Sequence, residues 1–132
     1  RRDVMTIELT MLLWSVILAF VLIMIPASDA LRLNGVLPLF GNRGNLQPPS
    51  PWGGRAQRAA ANMFESLPLF AALVLIAHVT GTSSPTTILG AQLFFWGRVA
   101  HAIFYLAGIP YLRTGAWVVA VVGMGMIVGE LL

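Results

Sequence analysis

The chain has 132 residues, of which 58% are hydrophobic and only 10% charged, against roughly 25% charged in an ordinary soluble domain. That balance excludes a soluble globular domain, and the absence of cysteine excludes disulfides, thiolate metal sites and a cysteine nucleophile. The net charge of +3 comes from arginines scattered along the chain without a basic face, which gives nucleic-acid binding no support and makes charge a matter of membrane orientation.

At this length there is room for about four spans of roughly 20 residues joined by short loops. The first, "IELTMLLWSVILAFVLIMI" over 7–25, is apolar apart from Glu8, Thr10 and Ser15. Pro26 is expected to end it. Its apolar core is longer than the h-region of a signal peptide and no small-x-small cleavage site follows clearly, so an uncleaved span is expected. Residues 27–54 read as a loop, because "GNRGNLQPPSPWGG" combines prolines without donors and glycines of high conformational entropy.

The second span is expected from Arg55 to about Val79, with Pro68 as a possible kink and "TGTSSP" as the turn that follows. It opens with a polar stripe: Arg55, Arg58, Asn62 and Glu65, spaced three, four and three apart, line one face of a helix. The third span, about 86–106, carries "FFWGRVAHAIFYL", in which Arg98, His101 and Tyr105 form a second stripe at the same period. After "AGIPYLRT", "GAWVVAVVGMGMIVGELL" over 115–132 completes an all-α, four-helix membrane bundle, with Gly115, Gly123, Gly125 and Gly129 expected to permit close helix contact. Loop one holds Arg32 and Arg43, with Arg55 and Arg58 at its end, loop three holds Arg113, and loop two holds no charge. Loops one and three are therefore expected on the cytoplasmic side, with both termini facing outward. Arg1 and Arg2 oppose that orientation, although Asp3 and Glu8 lie beside them and Met5 is an alternative start.

A charge at mid-bilayer costs about 2.5–3.5 kcal/mol, so the two stripes persist by pairing, meeting water or binding something. Glu65 is the sole acid of spans two and three, and Arg58 and Arg98 are its expected counter-ions. Helix-to-helix glue accounts for any one of these residues, each contact being worth about a kilocalorie. It does not account for the group, whose excess positive charge points to an anionic ligand. His78 reads as an interfacial or packed histidine, and Trp14, Trp52, Trp96 and Trp117 as interface anchors or lipid-facing residues.

With these residues the chain resembles the membrane-associated proteins in eicosanoid and glutathione metabolism, the MAPEG family, as a bacterial-type member. Four spans, a long first loop, Arg-x-x-x-Asn-x-x-Glu at Arg58, Asn62 and Glu65, Arg-x-x-His-x-x-x-Tyr at Arg98, His101 and Tyr105, and an arginine opening the fourth span at Arg113 carry the resemblance over nearly the whole chain. It implies a homotrimer in a bacterial inner membrane, with glutathione bound between neighbouring subunits near the cytoplasmic side. Arg58, Asn62, Glu65, His101 and Tyr105 would hold the tripeptide, within a site framed also by Arg55 and Arg98. Arg113 would stand near the sulfur and, with a hydroxyl from Thr114 or Tyr105, lower the thiol pKa. A hydrophobic electrophile or peroxide would enter from the bilayer, between span one of one subunit and span four of another. Ala61, where eicosanoid-making members often carry another arginine, and Thr114, where the prostaglandin-forming branch has serine, weigh against an eicosanoid activity. Two functions stay open: a glutathione transferase or peroxidase, and a catalytically inactive membrane subunit that assembles with other membrane proteins.

Overall fold

The computed structural model describes residues 5–41 and 43–132; Arg1, Arg2 and Asp3, which bear on the orientation, lie outside the described residues. Thr6 starts α1 (Ile7–Asn34) by accepting a hydrogen bond from the Leu9 N–H, 3.1 Å, one of the first-turn donors that a helix cannot satisfy itself. The helix does not stop at Pro26. It continues for two further turns to Asn34, because one missing N–H removes a single hydrogen bond while "ASDALRLN" supplies good helix formers. At 28 residues it is about 42 Å long, more than enough to cross the roughly 30 Å hydrocarbon layer.

The first loop is accordingly shorter than its composition suggests and contains a short helix α2 (Val36–Phe40) and a 3-10 turn at Arg43–Asn45. Helix α3 (Pro51–Val79) begins before Arg55, with Pro51 in its first turn, where a proline costs no hydrogen bond. Asp29, read from sequence as a loop residue, fixes that start. Its carboxylate accepts from the Ser50 N–H at 3.0 Å, from the Ser50 hydroxyl and from Arg32 at 2.9 Å, placing an anion at the N-terminus of α3. Gly53 is needed there, since a Cβ at that position would run into the Asp29 carboxylate.

Helix α4 (Pro85–Ala107) starts with a reciprocal capping box between Ser84 and Thr87. It touches α1, α3 and α5 (Pro110–Leu131). Only Gly108 and Ile109 separate α4 from α5, so Arg113 sits in the first turn of α5 and not in a loop. Phe70 of α3 stacks on Phe94 of α4 at 3.9 Å between ring centroids. The α4–α5 crossing is closer still: a Cβ on Gly97 would lie 2.9 Å from the Ala120 nitrogen, and one on Gly90 2.6 Å from the Gly123 carbonyl oxygen. Gly123 is the one glycine of α5 used this way within the protomer, while Gly115, Gly125 and Gly129 meet open space.

Among the described residues, α1, α3 and α5 are long and apolar enough to cross a membrane. Helix α4 carries Gln92, Arg98 and His101 along its length, and its most polar side chains are those it turns inward.

Candidate functional site

The Arg55 guanidinium joins the start of α3 to the end of α4. Its Nε donates to the Leu106 carbonyl at 3.1 Å, satisfying one of the acceptors left over at a helix C-terminus. This contact sets the register that brings the two polar stripes level. One turn into α3, Arg58 is exposed and lies back along its own helix beside Gly54, outside the cavities described below.

Further along, Asn62 faces α4, and its side-chain oxygen accepts from Arg98 Nη1 at 2.8 Å. Arg98 is 1% exposed, yet this is its one hydrogen bond: Nε and Nη2 are buried with no partner among the described residues, as is Nδ1 of the buried His101. Three buried polar nitrogens on one helix face are thus unfilled among the described residues, which a folded protein tolerates where a ligand or water completes them. One turn on, Tyr105 meets His101 edge-to-face at 5.4 Å, and the Arg113 guanidinium lies over the Tyr105 ring at 4.3 Å, a cation–π contact that fixes the arginine against α4. The Thr114 hydroxyl donates to the Pro110 carbonyl at 3.2 Å within its own helix.

These side chains surround two adjoining cavities between α3, α4 and α5. The first, about 270 Å³, is lined by Asn62, His101, Tyr105, Arg113, Thr114 and Trp117. The second, about 320 Å³, shares Asn62 and Trp117 and adds Glu65, Arg98 and an apolar wall that includes Leu69 and Met124. Leu69, Val121 and Met124 lead on to a third, almost wholly apolar hollow of about 410 Å³ that ends at Val128. The groove therefore runs from cationic to apolar along α3 and α5.

Of the residues singled out from sequence, Asn62, Glu65, Arg98, His101, Tyr105, Arg113 and Thr114 come together around this groove. Arg55 and Arg58 do not. The expected ion pairs of Glu65 are absent as well: among the described residues the one salt bridge is Arg32–Asp29. Arg98 turns to Asn62, one turn earlier on α3, and leaves the exposed Glu65 carboxylate free at the groove. Trp117, read as an anchor, lines both cavities. Its place three and four residues beyond Thr114 and Arg113 on one helix face was the available signal.

A model of the MAPEG family matches residues 11–132, nearly the whole chain. Among curated proteins none matches, and no solved structure does. The chain belongs to the MAPEG family, and with three helices fit to cross a bilayer it is an integral membrane protein.

Proposed function

We propose that this member of the MAPEG family is a glutathione-dependent membrane transferase or peroxidase, acting on a hydrophobic electrophile held at the arginine-rich end of the bundle. One observation carries the reading: among the described residues Arg98 presents two buried, unfilled guanidinium nitrogens, and the adjoining cavities it shares with His101 and Arg113 are lined by one acid, Glu65. Glutathione offers two carboxylates and one ammonium group, the charge pattern that such a set complements.

Arg98 is the carboxylate partner in the groove, Glu65 accepts from the ammonium group, and Asn62 holds Arg98 in place. Arg58, exposed outside the groove on a single protomer, is a carboxylate partner only in the proposed assembly. Arg55, tied to the end of α4, sets the height of the stripe. Glutathione supplies the sulfur nucleophile. An ordinary thiol, with a pKa of about 8.5, is mostly protonated at neutral pH. Arg113, clamped over Tyr105, provides the positive charge that favours its ionised form, and the Tyr105 hydroxyl adds a donor. Thr114 can add another after turning from the Pro110 carbonyl. The apolar hollow beyond Leu69 adjoins the site on the side open to the bilayer.

Arg58 and Glu65 are exposed on a single protomer, a costly placement for charges near lipid. A neighbouring subunit therefore completes the site, and a homotrimer is the assembly proposed. Helix α4 forms the fourth crossing, and the arginine-rich end faces the cytoplasm of a bacterial inner membrane.

The test is turnover of chlorodinitrobenzene and of a lipid hydroperoxide by purified protein, with pH–rate profiles for wild type and Arg113→Leu. Losing one charge-assisted contact costs about 1.5–3 kcal/mol, which raises the bound thiol pKa by about one to two units. Arg113→Leu should lose most activity at neutral pH and regain part of it in alkali. Superimposable profiles would remove Arg113 from the chemistry. Glutathione binding without turnover of either substrate would favour the inactive-subunit alternative.

A further inference from the structure

At the end of the bundle remote from Arg55 and Arg113, Glu8 is 3% exposed. Its Oε2 accepts from the Ser83 hydroxyl at 2.8 Å and the Thr87 hydroxyl at 2.7 Å, while Oε1 is buried with no partner among the described residues. Glu8 lines a cavity of about 230 Å³ together with Thr6, Val74, Ala77, His78 and Ser83. We propose that this cavity binds a primary ammonium group, as carried by an ethanolamine lipid headgroup or by a free alkylamine.

Charge and geometry select that chemistry. Among the described residues this buried carboxylate has no counter-charge, a costly state that hydroxyl donors compensate only in part. Along α4, Arg98 lies about three turns from Thr87, too far to serve. A primary ammonium brings one positive charge and three N–H donors, enough for the Glu8 carboxylate and the Thr6 and Ser83 hydroxyls that line the cavity with it, while Val74 and Ala77 offer an apolar wall to its carbon stem. A multidentate metal site is disfavoured because no group of three His, Cys, Asp or Glu converges among the described residues. A fully methylated ammonium has no N–H to give, so methylation separates recognition of the donor from mere attraction of charge.

Native mass spectrometry of the full chain reads this directly, using phosphatidylethanolamine, phosphatidylcholine of the same acyl chains, and ethylamine as probes. Wild type should retain phosphatidylethanolamine about tenfold better than phosphatidylcholine, the effect expected of one charge-assisted hydrogen bond. Displacement of the lipid by ethylamine would assign recognition to the ammonium alone, and retention despite ethylamine would assign it to the whole headgroup; both support the site. Glu8→Gln keeps an oxygen acceptor for Ser83 and Thr87 but removes the charge, and should abolish the preference. His78→Trp, made at an exposed position on the cavity wall, keeps Glu8, crowds the cavity and should weaken the preference several-fold. Equal retention of the two lipids by wild type, with no uptake of ethylamine, would overturn the proposal. So would a preference that survives both substitutions, or one that emerges only after removal of residues 1–4, which would assign the carboxylate to this chain's own N-terminal arginines.

Discussion

Towards one end of the bundle Arg98, 1% exposed, holds two guanidinium nitrogens without partners among the described residues; at the other end Glu8, 3% exposed, likewise holds one carboxylate oxygen without a partner among them. The first deficit is of acceptors and the second of donors. Beyond Arg98, where the end of α1 meets the start of α3, stands Asp29, as buried as either, whose carboxylate is engaged by the Ser50 N–H, the Ser50 hydroxyl and Arg32. The contrast separates two uses of a buried charge. Where its hydrogen-bonding capacity is filled from within, as at Asp29, the charge builds the fold. Where capacity is left over beside a cavity, as at Arg98 and Glu8, the charge is reserved for something that arrives from outside.

The most damaging change to this arrangement is one that parts α4 from α5. Gly97→Val puts a branched side chain where a single Cβ would already lie 2.9 Å from the Ala120 nitrogen and 3.0 Å from the Ala116 carbonyl oxygen. Overpacking of this kind costs about 1–3 kcal/mol and sometimes more. With backbone as the obstacle, the upper end is expected, read as a lower thermal midpoint and loss of ligand binding together. Next comes Asp29→Ala. It leaves the Ser50 N–H and hydroxyl without their partner and removes the anion at the start of α3, for a loss of about 1–3 kcal/mol. Thermal unfolding should show it, and glutathione affinity should fall with it because α3 carries Arg58, Asn62 and Glu65.

Arg98→Met sharpens the comparison by separating the two uses. Replacing a buried, incompletely paired charge with an apolar side chain of similar length is often neutral or stabilising. The thermal midpoint should therefore hold or rise while glutathione affinity falls about tenfold or more, a difference of about 1.4 kcal/mol or greater. A midpoint that drops as far as in Asp29→Ala would make Arg98 a structural residue. The smallest effect is expected from Glu130→Gln. Its carboxylate accepts from the Ser84 hydroxyl at 2.7 Å in an exposed setting, so the change should alter stability by less than about 1 kcal/mol and leave both ends functional.

The helical period made much of this legible. Asn62 with Glu65, and Arg98 with His101 and Tyr105, could be placed on facing stripes because side chains three and four apart share a face whatever surrounds them. Boundaries were harder to read. Pro26 marked an end that the helix ignores, and Pro51 and Pro110 were read as loop although each lies in a helix first turn, the position where proline is tolerated. Arg113 was misplaced into a loop for that reason. Asp29 was missed because its partner Ser50 is 21 residues away, and no local pattern reports so distant a bond. Glu8 was visible as the lone acid in an apolar span, but its hydroxyl partners come from residues 83 and 87. Nor does the sequence reveal that Arg98 turns to Asn62 and not to Glu65. Charge suggests the ion pair, while the relative height of α3 and α4, set in part by Arg55 on the Leu106 carbonyl, decides the contact.

Calorimetric titration of glutathione into the purified wild-type protein, beside the same titration of Arg98→Met, tests the central claim most directly. Saturable heat with wild type, and a midpoint about tenfold or more weaker for the variant, is the predicted result. No heat from wild type at millimolar glutathione, or equal affinity in the two proteins, would contradict the assignment of the arginine-rich end as the glutathione site.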